Sequence, residues 1–342
     1  MTKANAIAVY IGGSTLTSTT PGISVAGPSP QGTLYTPSLD LEYLMLGAPM
    51  TLNVIPMTPE GLPTPALLTR AALSLINVPY LVVDSGTYYG IKAPHVRLPS
   101  SRHGNNIAEG PAFEPGTAKS IFSEARALGI SLGRARGLVL VGESIPGGTT
   151  VAAAIMAALG LEDPVSLVSS ASPSNPKDLK RAVVSAALSR VSPNDDVFTV
   201  IDKVGDPVHV AMAGVAAGAM ESGSSVVLAG GTQMGAVLAI LSRLGALKGK
   251  VSVWTTRWVL QDPQSNISKL ISYFDGVELM ASGVDFSDAP YDGLRAFERG
   301  FVKEGVGAGG TMLLAESMGV DKNEIKSAIY SEYERLRKLG KA

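Results

Sequence analysis

Residues 138–160 read LVLVGESIPGGTTVAAAIMAALG. Four apolar residues end at Val141, a glycine-rich turn runs to Gly148, and Thr149 or Thr150 opens an alanine-rich run. A short apolar run stopped by glycine reads as a strand buried on both faces. An alanine-rich run behind a threonine reads as a helix with a capped start. A strand that turns at once into a helix is half of a βαβ unit, and that implies a parallel sheet. The first N–H groups of such a helix are unpaired and sit at its positive dipole end, so the turn suits a phosphate. It is not a Walker A loop, because no Lys follows the glycines. It is not a nucleophile elbow, because Pro146 stands where the second Gly of G-x-S-x-G is needed. A plain strand–turn–helix corner would use the same residues, so the turn alone leaves both readings open.

The pattern repeats on either side. Apolar β-rich runs fall at Ala6–Ile11, Leu52–Ile55, Tyr80–Asp84, Leu138–Val141, Val197–Ile201, Ser225–Leu228, Val251–Thr255 and Val277–Met280. Helical spacing or Ala-rich composition marks Thr117–Leu128, Thr150–Leu159, Lys177–Ser189, Val208–Met220, Gly235–Leu244 and Met312–Met318. This alternation predicts an α/β fold with a doubly wound, mainly parallel, Rossmann-like sheet, its ligand beyond the carboxyl ends of the strands. Residues 14–46 are rich in Gly, Pro, Ser and Thr and read as a long loop leading into a short helix. Residues 320–342 hold a charged amphipathic surface helix, packed through Ile325, Ile329 and Leu336. No linker divides the chain, so residues 1–342 read as one domain.

Composition narrows the function classes. The 342 residues are 45% hydrophobic, enough for a large core, and the formal net charge of −1 offers no footprint for nucleic acid or an anionic membrane. With no cysteine there is no thiolate nucleophile or thiolate metal site, and three histidines argue against a His-rich metal site. The N-terminus lacks the apolar stretch of a signal peptide, and apolar runs stop well short of about 18 residues. A cytoplasmic protein without a membrane span is expected.

Three further stretches carry polar groups suited to a ligand. FVKEGVGAGGTMLLAESMG, residues 301–319, sets Glu304 among Gly305, Gly307, Gly309 and Gly310. A carboxylate held there can have a raised pKa and act as a general base; an acidic residue favouring the helix dipole is the alternative. RLPSSRHGNNIAEGPA, residues 97–112, is a donor-rich loop with Arg102, His103, Gly104 and Asn106, or else a polar surface loop. SSASPSNPKDLKR, residues 169–181, leads into a helix bearing Lys177, Lys180 and Arg181, where a Lys can reach a phosphate or simply line a solvated face.

The order of these motifs resembles the nicotinate-nucleotide:dimethylbenzimidazole phosphoribosyltransferase family, in a divergent archaeal-type branch. The family's Gly-Glu-Met-Gly-Ile-Gly-Asn-Thr-Thr pattern stands here as Gly142-Glu143-Ser144-Ile145-Pro146-Gly147-Gly148-Thr149-Thr150. Its catalytic Gly-Glu-Gly-x-Gly-Ala stretch corresponds to Lys303-Glu304-Gly305-Val306-Gly307-Ala308. Its Arg-Arg-Gly-Thr-x-Asn loop is close to Arg102-His103-Gly104-Asn105-Asn106, and its phosphate-contacting Lys falls on Lys180, behind Ser169-Ser170-Ala171-Ser172 where the family has Gly-x-Gly-Thr-Gly. The resemblance covers roughly Thr20 to Ala315. It departs at Gly12-Gly13-Ser14, where the family has Gly-Asp-His-Gly, and at Ala229-Gly230, where Asp-Gly is usual.

The resemblance implies transfer of phosphoribose from nicotinate mononucleotide to a lower-ligand base in cobamide nucleotide-loop assembly. Glu304 is then the general base, with Glu143 as a second catalytic carboxylate. Gly142, Gly147, Gly148, Thr149, Lys180, Arg102, Gly104, Asn106, Gly305 and Gly307 bind substrate, and Gly147, Gly148 and Thr149 cradle the phosphate with Lys180 as its cation. No metal and no organic cofactor are implied. The expected partners are the nucleotide, an aromatic base and a second copy of the chain, and the terminal segments form a small helical subdomain, with residues 14–46 near the base pocket. Transfer to adenine or another base, and a nucleotide-binding homologue without catalysis, remain open beside this reading.

Overall fold

The computed structural model describes residues 5–58 and 60–339; residues 1–4, Pro59 and 340–342 of the expected spans lie outside it. Among the described residues, β1 (Ala6–Gly13), β2 (Tyr80–Gly86), β3 (Val96–Arg97), β4 (Leu138–Ser144), β5 (Ser225–Ala229), β6 (Val251–Thr256) and β7 (Glu278–Ser282) form one sheet in the order β3-β2-β1-β4-β5-β6-β7. Every neighbouring pair is parallel. The expected doubly wound sheet is present, and it is parallel throughout rather than mainly so.

The helices are α1 (Thr36–Leu46), α2 (Ala66–Ser74), α3 (Thr117–Ala135), α4 (Gly148–Ala158), α5 (Lys177–Leu188), α6 (Val197–Val204), α7 (Pro207–Glu221), α8 (Met234–Arg243), α9 (Arg257–Leu260), α10 (Ile267–Ile271), α11 (Asp292–Glu298), α12 (Ala308–Ser317) and α13 (Lys322–Leu339). The two-residue period of the strands divides them between two faces. Val9, Ile11, Val139, Val141, Val226 and Leu228 pack against the layer containing α3 to α8. Ala8, Tyr10, Leu138, Leu140, Val227 and Ala229 pack against α1, α2, α12 and α13. Hence the central strands read as unbroken apolar runs.

Helices α3 and α7 meet backbone to backbone. A Cβ on Gly129 would lie 2.2 Å from the Val215 carbonyl, and one on Gly218 would lie 2.1 Å from that of Arg126. The small residues of α7, from Pro207 to Met220, are all buried, so they serve packing within the chain rather than a surface for a second copy.

Two expected strands are not strands. Val197–Ile201 belongs to helix α6, where the Asp196 carboxylate accepts from Thr199 N at 2.8 Å and caps the start. Val200, Ile201 and Val204 are its buried stripe, a helical spacing that outweighs the β propensity of the valines. Leu52–Ile55 is irregular, with Asn53 and Val54 exposed and Pro56 following. Strand β3, two exposed residues at the sheet edge, gave no apolar signal to read.

Residues 14–35 run between β1 and α1 through two 3₁₀ turns, Leu16–Thr19 and Gln31–Tyr35. Their hydroxyls cross-link the segment: Ser18 Oγ and Thr33 Oγ1 lie 2.8 Å apart. The sheet order itself locates the site. From β1 the chain winds outward through β2 to β3, and from β4 the other way through β5 to β7. Between β1 and β4 the winding reverses, and in sheets of this kind ligands bind beyond the carboxyl ends of the strands at that point. There Ile11 pairs with Glu143 and Gly12 with Ser144.

Candidate active site

Glu143 is the penultimate residue of β4 and is buried. Its carboxylate accepts from Ile145 N at 3.1 Å and from Gln233 Nε2 at 3.1 Å. Burial, reinforced by the charge of Glu304, holds its pKa well above the usual carboxylate range. At the reversal of the sheet burial therefore disfavours its charged form.

Glu304 sits on the peptide that leads into α12. Its carboxylate accepts from Thr256 N at 3.1 Å, Gly305 N at 3.1 Å and Gly309 N at 3.1 Å. Desolvation outweighs these donors and raises its pKa from 4.5 to about 7. The side chain is only partly covered. The two acids stand on interlocked backbones: Val306 N donates to the Glu143 carbonyl at 2.7 Å, and a Cβ on Gly142 would lie 3.0 Å from Gly307 Cα. Gly142 and Gly307 are thus sites of close backbone approach.

The backbone around Glu304 is strained. Val302, Lys303 and Val306 have φ of +63°, +65° and +53°, a left-handed conformation costing on the order of 1–3 kcal/mol per residue. Thr256 Oγ1 donates to the Lys303 carbonyl at 2.6 Å, and Thr69 Oγ1 donates to that of Val306 at 2.8 Å, so neighbouring elements pin the peptide.

The turn into α4 lies beside Glu143. Gly147 takes φ +73° as the residue before the helix, with Ser18 packed against it. A Cβ on Gly148 would strike Gln233 Oε1 at 1.9 Å. Gln233 bridges α4 to Glu143, and its buried Oε1 has no partner among the described residues. Thr149 is partly exposed at the helix start.

Lys180 is fully buried on α5, and its Nζ donates to the Ser169 carbonyl at 2.7 Å. Burial, with help from the nearby charge of Lys303, lowers its pKa to about 7. Ser169 N in turn donates to Thr232 Oγ1 at 2.9 Å, next to Gln233. A chain of contacts therefore runs from Lys180 through Ser169, Thr232 and Gln233 to Glu143.

The remaining expected residues lie beyond β1 and β2. Gly104 N donates to the Ser14 carbonyl at 2.9 Å, and Leu16 N to that of Gly104 at 2.8 Å, bringing the 102–106 loop to the end of β1. Arg102 is exposed. Asn106 uses its amide on its own loop, donating to Glu109 Oε1 at 2.8 Å and accepting from Ala108 N at 3.1 Å. No hydrogen bond of Arg102 or Asn106 to Glu143 or Glu304 is found among the described residues. The structure thus brings Glu143, Glu304, Gly142, Gly147, Gly148, Gly305, Gly307 and, through Ser169, Lys180 together, with Arg102, Gly104 and Asn106 at the adjoining rim.

Several residues of the site carry no recognised signal in the sequence. Gln233 follows Gly230-Gly231-Thr232 after β5, a glycine turn that announces a site without saying which side chain it will deliver. Lys303 shares a motif with Glu304, but nothing local gives it a role of its own. Asp40, on α1, accepts from Ser144 Oγ at 2.8 Å and Thr64 Oγ1 at 2.6 Å, and burial raises its pKa to about 6. Ser144 is thereby tied to a carboxylate, and the buried His209 pairs with Asp206, so no serine triad forms around it. Among the described residues no group of three or more His, Cys, Asp or Glu is placed to hold a metal, and no helix is long and apolar enough to cross a membrane.

A family model described as phosphoribosyltransferase matches residues 69–248. A UPF0284 protein of Aeropyrum pernix is 51% identical over 328 residues, 95% of this chain and 91% of that one. Another, from Pyrobaculum calidifontis, is 46% identical and covers 97% of this chain and 96% of its own. Among solved structures, the nicotinate-nucleotide-dimethylbenzimidazole phosphoribosyltransferase of Thermus thermophilus superposes with a TM-score of 0.65 at 20% identity, over 94% of this chain and 83% of that one. That last likeness is one of fold.

Proposed function

The chain belongs to the phosphoribosyltransferase family, alongside the archaeal UPF0284 proteins, and from that premise we propose that it transfers phosphoribose from nicotinate mononucleotide to an aromatic lower-ligand base, dimethylbenzimidazole or a close relative. The observation that carries this reading is the pair Glu143 and Glu304 at the reversal of the sheet, on backbones locked by the Val306 N–H donating to the Glu143 carbonyl at 2.7 Å, with burial raising the pKa of both acids.

In the proposed reaction a ring nitrogen of the base attacks C1′ of the nucleotide. The bond from C1′ to the pyridine nitrogen breaks, and nicotinate leaves with that electron pair. The second ring nitrogen of the base loses its proton to the Glu304 carboxylate. A base with pKa near 7 is matched to that task at neutral pH. The three N–H groups around Glu304 fix its direction, so little reorganisation accompanies the transfer. Glu143, whose charged form burial disfavours, orders its turn through Ile145 and Gln233.

The 5′-phosphate is assigned to the space between the start of α4, at Gly147, Gly148 and Thr149, and the turn at Ser169–Ser172, with Lys180 as the buried cation. A dianion entering there favours the charged form of a lysine whose pKa is near 7. A homodimer and a role in cobamide assembly belong to the same proposal; sedimentation of the purified chain tests the first. The reaction is tested by following nicotinate release by chromatography with and without dimethylbenzimidazole. Base-dependent release is expected. Nucleotide binding without release on any base would replace this reading with a non-catalytic one.

A further inference from the structure

Four consecutive carbonyls in the turn before α5 are each taken by a donor of the protein. Ser169 O accepts from Lys180 Nζ at 2.7 Å, Ser170 O from Lys303 Nζ at 2.8 Å, Ala171 O from Val302 N at 2.8 Å, and Ser172 O from Lys303 Nζ at 3.2 Å. In a trans peptide the C=O of one residue and the N–H of the next point opposite ways. The N–H groups of Ser170 and Ala171 therefore point away from the ammonium groups that hold the carbonyls of Ser169 and Ser170, and neither has a protein acceptor among the described residues. Successive outward N–H groups form a concavity for an anion.

Lys303 links this turn to the general base. Its third contact is Asp262 Oδ2 at 3.1 Å, so all three ammonium protons are placed. Its side chain is 3% exposed and that of Asp262 1%. Asp262 also accepts from Ser169 Oγ at 2.5 Å, and so grips the same turn a second time. Burying an ammonium is costly unless it is paired and fully hydrogen-bonded, and the left-handed backbone of Lys303 adds strain. A glycine would take φ +65° without strain, and glycine stands here in the family pattern that the sequence resembles. This chain instead places a buried cation at the residue preceding Glu304.

We infer that Lys303 is a positioning residue: it straps the Ser169–Ser172 turn to the peptide that presents Glu304, so that an anion bound at the Ser170 and Ala171 N–H groups steadies the general base. The inference rests on the reading of that turn as the donor-phosphate side of the site. The strap makes filling of the phosphate site and ordering of Glu304 one event, so the base is set only when the donor is in place. Its geometry also accounts for the left-handed pair Val302 and Lys303: that conformation lets Val302 N and Lys303 Nζ reach adjacent carbonyls of one turn.

The test is hydrogen exchange read by mass spectrometry on the full chain, with and without saturating inorganic phosphate, following peptides over 169–175 and 302–309. In the wild type phosphate slows exchange in both, on the order of tenfold. In Lys303→Met/Asp262→Asn, which removes the strap without leaving a buried charge unpaired, only 169–175 slows. Lys303→Arg, which keeps the cation, restores part of the effect on 302–309. A purely architectural Lys303 would change the melting temperature while leaving the phosphate response of both peptides intact. That result overturns the inference, as does a wild type in which phosphate slows 169–175 alone or neither peptide. Failure of the transferase reading is seen separately, as absence of nicotinate release from the wild type whatever the exchange shows.

Discussion

Glu143 and Glu304 occupy turns that look alike in the sequence: each is an acid beside glycines and ahead of a small-residue helix. Their surroundings differ. Glu143 is the penultimate residue of a central strand, is buried, and is bound by a side-chain amide as well as by the Ile145 N–H. Glu304 lies on a strained peptide, is partly covered, and is bound only by backbone N–H groups. Both pKa values are raised by burial, that of Glu304 to about 7. On the proposed reading, the carboxylate set in the sheet serves as framework, and the partly exposed one on a strained peptide exchanges a proton with a ligand. Strain of this kind persists where the surroundings over-determine it, as Thr69 and Thr256 do here.

The largest effect expected of this contrast is in Glu304→Gln, which should lower nicotinate release by about 100-fold or more while leaving nucleotide binding in place. Near-normal turnover would erase the distinction between the two acids. The pH profile sharpens it. Below pH 7 Glu304 holds its proton and cannot accept another, so wild-type turnover should rise with pH through about 7. The residual activity of Glu304→Gln should show no such rise.

A smaller effect is expected at the phosphate side. Lys180→Met should raise the KM for nicotinate mononucleotide about tenfold, about 1.4 kcal/mol, with a lesser change in kcat, because it removes the buried positive charge held behind the Ser169–Ser172 turn. An unchanged KM would remove Lys180 from the binding site and leave it as a buried tie to Ser169. Smaller again, Glu143→Gln should cost only a few-fold in turnover, on the order of 1 kcal/mol, because Gln keeps the size and hydrogen-bonding reach of a side chain whose charge burial disfavours. A loss as large as that of Glu304→Gln would mean that Glu143 works as a charge.

Apart from turnover, an effect on stability is expected. A carboxylate whose folded pKa is raised binds its proton more tightly in the folded state than in the unfolded one. Glu304 therefore contributes stability that is present below pH 4.5 and lost as the pH rises to about 7. Glu304→Gln should flatten the fall in unfolding free energy across that window by about 1–3 kcal/mol, read by urea denaturation at several pH values. An identical slope in both proteins would place Glu304 in a more watery setting than its contacts imply.

Much of this architecture was legible in the sequence. The β4–α4 stretch named its own strand, turn and helix, and its residues carry their reading locally. Where the reading failed, two local signals competed or none existed. Val197–Ile201 has β-branched composition and helical spacing, and the Asp196 cap decided for the helix. Leu52–Ile55 has the composition of a strand but no buried faces to match it. The acids Glu143 and Glu304 were visible because glycines flank them. Gln233, Asp262 and the role of Lys303 were not, because each acts through a contact made across the fold. Lys303 and Ser170 are 133 positions apart, and no local pattern records such a pairing.

The measurement that bears most directly on the account is nicotinate release from nicotinate mononucleotide, by chromatography, in wild type and Glu304→Gln with and without dimethylbenzimidazole. The account predicts base-dependent release in the wild type that rises through about pH 7 and is nearly abolished in the variant. Equal release by both proteins, or none from a wild type that binds the nucleotide on every base tried, would contradict it.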